Sequence, residues 1–220
     1  MHKLTLGSVV LLLLTASATT FAAENQKTQT AQIDTSNTQS ISLDIPAGKL
    51  VVQGVKGNKL EAQVTATCKN DKADDKEACQ ALLNALSWSK KIGKNTELAL
   101  MPVKITQYED ITIEVKITVP ENKPLNVKLA AGELQINGTS ACLIAEVNAG
   151  DLSMNLKESQ LASAQLNAKV GDVNLTTAAG EKISGERSML VGAELNWAKG
   201  KGTCHLKANL LAGEARLILN

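Results

Sequence analysis

Aromatic residues are nearly missing from this sequence: two tryptophans, one tyrosine and one phenylalanine in 220 residues. Platforms of stacked rings, on which proteins seat bases or sugars, are therefore hard to build. Histidine is as scarce. His2 lies in the first residues, so His205 stands alone in the body of the chain and every two-histidine metal motif is excluded. A Ser/His/Asp or Cys/His nucleophilic site is correspondingly poor, and no GxSxG, HExxH, GxGxxG or P-loop pattern occurs. His205, in TCHLKAN, reads as a surface strand residue. An excess of one charge is missing too, with 23 Lys and Arg against 22 Asp and Glu, interspersed. Nucleic acid needs a concentrated basic surface and is not an expected partner. The composition points to no catalytic residue, no cofactor and no dedicated metal site.

Long apolar runs are also absent. The opening MHKLTLGSVVLLLLTASATTFAA has a basic n-region at Lys3 and an apolar run, Leu6–Leu14, too short to span a bilayer. Thr20 and Ala22 supply the small residues of a cleavage site. Residues 1–22 thus read as a secretory signal peptide, cut after Ala22 or Ala23. The first cysteine is Cys68, so no lipid anchor is expected, and no later segment predicts a membrane span. The mature protein is expected to be soluble and exported, first to the periplasm, with secretion or surface association as alternatives. Residues 23–39 are polar and predict a flexible leader.

Four cysteines in an exported chain suggest disulfides. Cys68 ends a strand-like run and Cys79 lies in the first turns of a predicted helix. Pairing them would tie helix to sheet and contribute roughly 2–3 kcal/mol. Cys142 and Cys204 are harder to place, for a reason that the repeat supplies.

VNAGDLSMNL, beginning at Val147, has relatives at LAAGELQING (Leu129), AKVGDVNLTT (Ala168) and LLAGEARLIL (Leu210), and a cousin, IPAGKLVVQG, at Ile45. Aligned on Gly132, Gly150, Gly171, Gly192 and Gly213, the units step by 18, 21, 21 and 21 residues. Apolar residues recur two and four places after each glycine and three, five and seven before it. That alternation means strands with one buried face. A unit this small cannot bury its own face, so its neighbours must stack on it. The expected fold is mainly β, a repeat-built β-solenoid over residues 121–220. An antiparallel β-sandwich or meander is the alternative. The Gly192 unit departs from the pattern: Glu194 and Asn196 occupy inward positions and Arg187 is wrong for a core, so a bulge or new register is needed there. In an ideal stack Cys142 and Cys204 lie three units, about 14 Å, apart, beyond the ~7 Å a disulfide allows. Their pairing is an open question that would count against the ideal stack.

Residues 40–120 read as irregular β structure continuous with the repeats. One amphipathic helix over 75–91 is predicted within it, capped by Asp74 or Asp75, with Ala78, Leu82 and Leu86 on its apolar face and Lys90 and Lys91 in its last turn. It would cover a sheet face or end. Trp88 and Trp197 are candidate contact residues, each with core packing as the competing reading. Glu133, Asp151, Asp172 and Glu214 follow their glycines directly and would form an acidic edge, interrupted by Ala193. Stacked carboxylates repel, so a bridging cation such as Ca²⁺, or a basic partner, would suit them. A solvated turn residue is the plainer reading.

The order of elements adds a resemblance. An AGxLxV strand (Ala47, Gly48, Lys49, Leu50) precedes a VxITVP element (Ile117–Pro120) and the GDL and GDV turns at Gly150–Leu152 and Gly171–Val173. Over residues 40–220 this resembles the bacterial putative-adhesin family of β-strand-repeat domains, which offers no catalytic residues to carry over. The resemblance implies an exported, non-enzymatic, adhesin-like or envelope scaffold protein that binds an envelope protein or surface ligand. A structural or stress-related periplasmic factor is the alternative. A polysaccharide-acting β-helix enzyme is the remaining one, disfavoured because the acidic residues recur once per unit instead of pairing in a groove.

Overall fold

The computed structural model describes residues 25–69, 73–101, 111–188 and 191–220. Residues 1–22, read above as a signal peptide, and Tyr108 lie outside them. The protein is mainly β. In chain order the elements are β1 (Gln26–Asp34), β2 (Ser40–Val55), β3 (Lys59–Cys68), α1 (Ala73–Ala85), β4 (Ser87–Lys91) and β5 (Asn95–Met101). There follow β6 (Ile111–Pro120), β7 (Leu125–Asn137), β8 (Leu143–Leu156), β9 (Leu161–Thr176), β10 (Lys182–Ser184), β11 (Glu186–Ser188), β12 (Gly192–Trp197) and β13 (Cys204–Leu219). The strands form one mixed sheet, ordered β1-β3-β6-β2-β7-β8-β13-β9-β12-β11, with β5 and β4 extending from β2 and β10 from β9.

The glycine repeat builds its centre. β2, β7, β8, β13 and β9 run parallel with Gly48, Gly132, Gly150, Gly213 and Gly171 in line. In β8 the buried residues are Leu143, Ala145 and Val147, then Leu152, Met154 and Leu156. The odd step from 147 to 152 reverses the parity that an unbroken strand would keep. Each repeat strand is therefore two arms joined at a glycine corner, and both arms send side chains into one shared core. At the corner Gly150 has φ 129°, and a Cβ there would sit 1.8 Å from the carbonyl oxygen of Gly132. Gly132, Gly213 and Gly171 repeat this contact, each against the neighbouring glycine. Only a residue without a side chain satisfies both the backbone angle and the approach.

The stack does not follow chain order, and the expected solenoid of consecutive rungs is corrected accordingly. β13 lies between β8 and β9, parallel to both. This places Cys204 beside Cys142 on the adjoining rung, and the two are bridged with Cα atoms 4.5 Å apart. The supposed three-unit separation assumed sequential stacking. The Gly192 unit is not a rung either: β12 runs antiparallel to β9, pairing Leu195 with Leu166 and Trp197 with Ala164. Its reversed direction buries Ala193, Leu195 and Trp197 and turns Glu194 and Asn196 outward. Antiparallel pairing also closes the other end, through β3 with β6 and β1 with β3. In those outer parts the open sheet matches the meander alternative.

Two expectations in the first half are corrected together. Residues 26–34 are a strand, β1, and not a flexible leader; they pair with β3 in unbroken register, and Ala31 and Ile33 reach the core. Backbone pairing of this kind does not require an apolar sequence. The helix ends at Ala85, and 87–91 is β4, antiparallel to β5, with Lys91 paired to Glu97 at 3.0 Å. The lysine at the helix C-terminus is instead Lys27 of β1, whose Nζ donates to the carbonyls of Leu83 (2.7 Å), Asn84 (3.1 Å) and Leu86 (3.2 Å). A cation there complements the exposed end of the helix dipole. Gln29 adds a bond to the Leu86 carbonyl at 2.7 Å. The helix buries Cys79 and Leu83, one position on from the predicted face, with Leu82 partly buried against the core, and the predicted Leu86 is buried just past the helix end. The Cys68–Cys79 disulfide fixes that orientation, with Cα atoms 6.0 Å apart.

Candidate binding face

Beyond the corner, eight strand segments lie side by side: β1, β3, β6, β2, β7, β8, β13 and β9. Their inward residues fill the core, and every second residue points to solvent. Register places the outward residues in rows that run across the strands. One row passes through Thr30, Gln63, Lys116, Val51, Gln135, Ser153, Arg216 and Asn174. The next, one pleat further from the corner, passes through Gln32, Glu61, Thr118, Gln53, Asn137 and Asn155, and then through the exposed Ile218 to Thr176. Amides and hydroxyls dominate both. A groove of about 560 Å³ crosses them between β1 and β2, lined by Thr30, Gln32, Gln53, Gln63, Lys116 and Thr118 around Val51. Gln32 donates to Glu61 at 2.7 Å, holding one wall.

The predicted acidic residues form the row nearest the corner. Its order is Lys49, Glu133, Asp151, Glu214, Asp172, because β13 is inserted and β2 contributes. The Ala193 interruption disappears, since β12 stands outside the parallel stack. Lys49 pairs with Glu133 at 3.1 Å at one end and Arg187 with Asp172 at 3.0 Å at the other. Within the row, Arg216 donates to Glu214 at 2.9 Å, and the Glu214 N–H donates to Asp151 Oδ1 at 3.2 Å. Gln135 also donates to Glu133, and this bond, followed by Lys49, holds the Glu133 carboxyl below its ordinary pKa. Each carboxylate has a partner inside the chain, so repulsion is relieved without an ion. Among the described residues no group of three or more His, Cys, Asp or Glu side chains is arranged to hold a metal. The Ca²⁺ expectation finds no converging ligand set: the carboxylates lie in a line. A hollow of about 320 Å³ runs along them, bounded by Gln135, Ser153 and Arg216.

Neither a family model nor a curated protein matches the chain. Among solved structures, the fold is similar to that of a "putative cell adhesion protein" from Clostridium sporogenes. The overlay has a TM-score of 0.51 and 12% identity, covering 89% of this chain and 100% of that one. At that identity the likeness concerns the fold alone. A "putative adhesin" from Parabacteroides distasonis (14% identity, 88% of this chain, 73% of that one) overlays at a TM-score of only 0.26. Another from Parabacteroides merdae (12%, 87% and 81%) reaches 0.27. Superpositions this loose say nothing further about this chain.

The tryptophans separate. Trp197 is buried at 4% exposure, so its ring belongs to the core and is not offered to a partner. Trp88 is half-buried on β4, opposite Leu100, and packs against the core from its edge. His205 is exposed and bonds Ser163 at 2.8 Å through Nδ1. Three cations that pair with the acidic row were missed in the sequence. Lys49 was legible, since it follows Gly48 as the acids follow their glycines. Arg216 was legible once the outward parity of its strand is applied. Arg187 was not, because its position depends on β11 folding back beside β12.

Proposed function

We propose that this chain is an exported, non-enzymatic, adhesin-like binding module of the cell envelope, with the solenoid-like parallel stack as its scaffold. One observation carries the reading: three rows of mainly polar side chains stand in register on one sheet surface, two of them crossing all eight strands and the charged one crossing five. Side chains spaced about 4.8 Å apart on a hydrogen-bonded sheet are held without the entropy cost of ordering a loop. Two disulfides fasten the scaffold, which suits an oxidising compartment such as the periplasm. The ligand would be an envelope protein or a surface component rich in hydroxyl and amide groups. Hydrogen bonds and charge would dominate its recognition, because the described strands of this face carry no aromatic ring. The similarity of fold to the "putative cell adhesion protein" from Clostridium sporogenes is in keeping with this role.

In-cell photo-crosslinking tests it, with probes at Gln63 and Asp151 on this face and at Gln165 on the outer side of the other arm. A discrete adduct from the first two, absent from Gln165, is the expected result. Diffuse or missing adducts at all three positions would overturn the proposal.

A further inference from the structure

The groove on the binding face runs across the strands and not along one. Its lining comes from four neighbours in the sheet, β1, β3, β6 and β2, so it is three strand spacings long, about 14 Å. β3 and β6, the middle pair, are bonded on both sides, and their backbone N–H and C=O groups are spent on neighbouring strands. A sheet takes up an extended peptide through free backbone groups at an edge, and the middle of this groove offers none. Recognition there falls to side chains.

Among the described residues, Thr30, Gln63 and Thr118 have no side-chain hydrogen-bond partner and Lys116 has no ion pair. Glutamine amides and threonine hydroxyls both donate and accept, which is what a sugar hydroxyl does in return. Charge narrows the class. Lys116 stands at the middle of the groove, in register with Gln63 on one side and Val51 on the other. Glu61, one pleat away on β3, is the negative group of the groove, and Gln32 already holds it at 2.7 Å. One cation beside one anion suits a ligand whose negative charges are isolated. A polymer charged at every unit, such as nucleic acid or polyphosphate, needs a concentrated basic surface and would be repelled by Glu61. With no ring for stacking, a charge-assisted hydrogen bond from Lys116 is the strongest single contact the groove can make.

Resting on the reading of this surface as the binding face, we propose that the groove takes a carboxylated glycan in which acidic sugars alternate with neutral ones. Lys116 holds a carboxylate, and Thr30, Gln63 and Thr118 hold ring hydroxyls on either side of it. Alternation matters because an acid on every ring would set a second carboxylate beside Glu61.

An NMR titration of the amide resonances of the disulfide-bonded chain tests this with three probes. They are a hyaluronan tetrasaccharide (glucuronate alternating with N-acetylglucosamine), the neutral N-acetylchitotetraose, and a short polyphosphate. Each is taken to about 10 mM, so that a Kd near 1 mM is still read. The expected result is a set of shifts confined to residues 30–32, 51–53, 61–63 and 116–118, with the hyaluronan fragment binding about tenfold more tightly than the neutral one. Lys116→Gln should erase that advantage, with an unchanged thermal melt to show that the fold survives. No shifts in the groove, equal binding of the acidic and neutral tetramers, an advantage that outlasts Lys116→Gln, or a preference for polyphosphate would overturn the proposal. If the crosslinking probes at Gln63 and Asp151 trap a partner while the titration is silent, the glycan is wrong and the binding face stands; silence in both removes the face as well.

Discussion

Replacing Gly150 by alanine tests the glycine corner, provided that Gly57→Ala is measured beside it. The two glycines have nearly the same backbone angle, φ 129° and 127°, but a Cβ at Gly57 would meet nothing within 4 Å. The angular cost is common to both, roughly 1–3 kcal/mol. It is offset by about 0.4–1 kcal/mol from the lost freedom of the unfolded chain. Gly57→Ala should thus cost about 1–2 kcal/mol. At Gly150 the added carbon meets the Gly132 oxygen at 1.8 Å, and ordinary contact begins at 3.4 Å. About 1.6 Å of separation between β8 and β7 is then required, which stretches ladder bonds near 2.9 Å beyond hydrogen-bonding range. Loss of two such bonds adds about 2 kcal/mol, so Gly150→Ala should cost about 3–4 kcal/mol. Urea unfolding would read the difference as a midpoint shift of about 1 M. If the two variants differ by less than about 0.5 kcal/mol, the carbonyl contact does not constrain the stack and the reasoning fails.

Other predictions follow from the staples, the cap and the charged row. In the chain-entropy model, removing Cys142–Cys204, with a sequence separation of 62, should cost about 4.3 kcal/mol, against about 2.8 kcal/mol for Cys68–Cys79, with a separation of 11; equal losses by chemical denaturation would refute the ordering. Lys27→Met should weaken the end of α1 by about 1–2 kcal/mol, seen as faster amide exchange over residues 79–86; unchanged exchange would rule out the cap. Glu133 should titrate below the ordinary glutamate range by carboxyl NMR, with Gln135→Met raising its midpoint more than Lys49→Met. Because its folded pKa is depressed, its stabilising contribution is full above the ordinary glutamate range and is lost as pH falls through the folded value; a midpoint at or above the ordinary value would contradict the bonding described. Acrylamide should quench Trp88 more readily than the buried Trp197, measured in single-tryptophan variants.

The glycine spacing and the apolar alternation around it made the repeat legible, because both arms of each strand obey the period-two rule. The same alternation flagged the Gly192 unit, where Leu195 and Trp197 fall out of phase. It could not show that the phase changes because the strand runs backwards. Strand order was illegible for a related reason: the rungs share one inward pattern, so β13 fits beside β8 and β9 as well as it would fit at the end. The Cys142–Cys204 spacing held the missing information, since a bridge demands adjacency. The lower-numbered half was harder. QKTQTAQID reads as polar chain when side chains alone are weighed, and the pairing of its backbone with β3 leaves no sequence mark. Of the candidate site, the acidic row was legible from the residue after each glycine, but the cations that neutralise its ends came from one aligned turn and one fold-back.

The position of β13 also sets a timetable. A chain made from its N-terminus completes β8 and β9 while the space between them is still empty, and they cannot close on each other without losing the register that β13 needs. Cys68 and Cys79 are consecutive and can be joined early, whereas Cys142 must wait for Cys204. β13 is thus an inspection step: a product cut short before Cys204 keeps two raw parallel edges and an unpaired thiol. Limited proteolysis of a chain ending at Thr203 should digest residues 143–197 rapidly while sparing β1–β7. Arrival of β13 and solidity of the stack are then one and the same event.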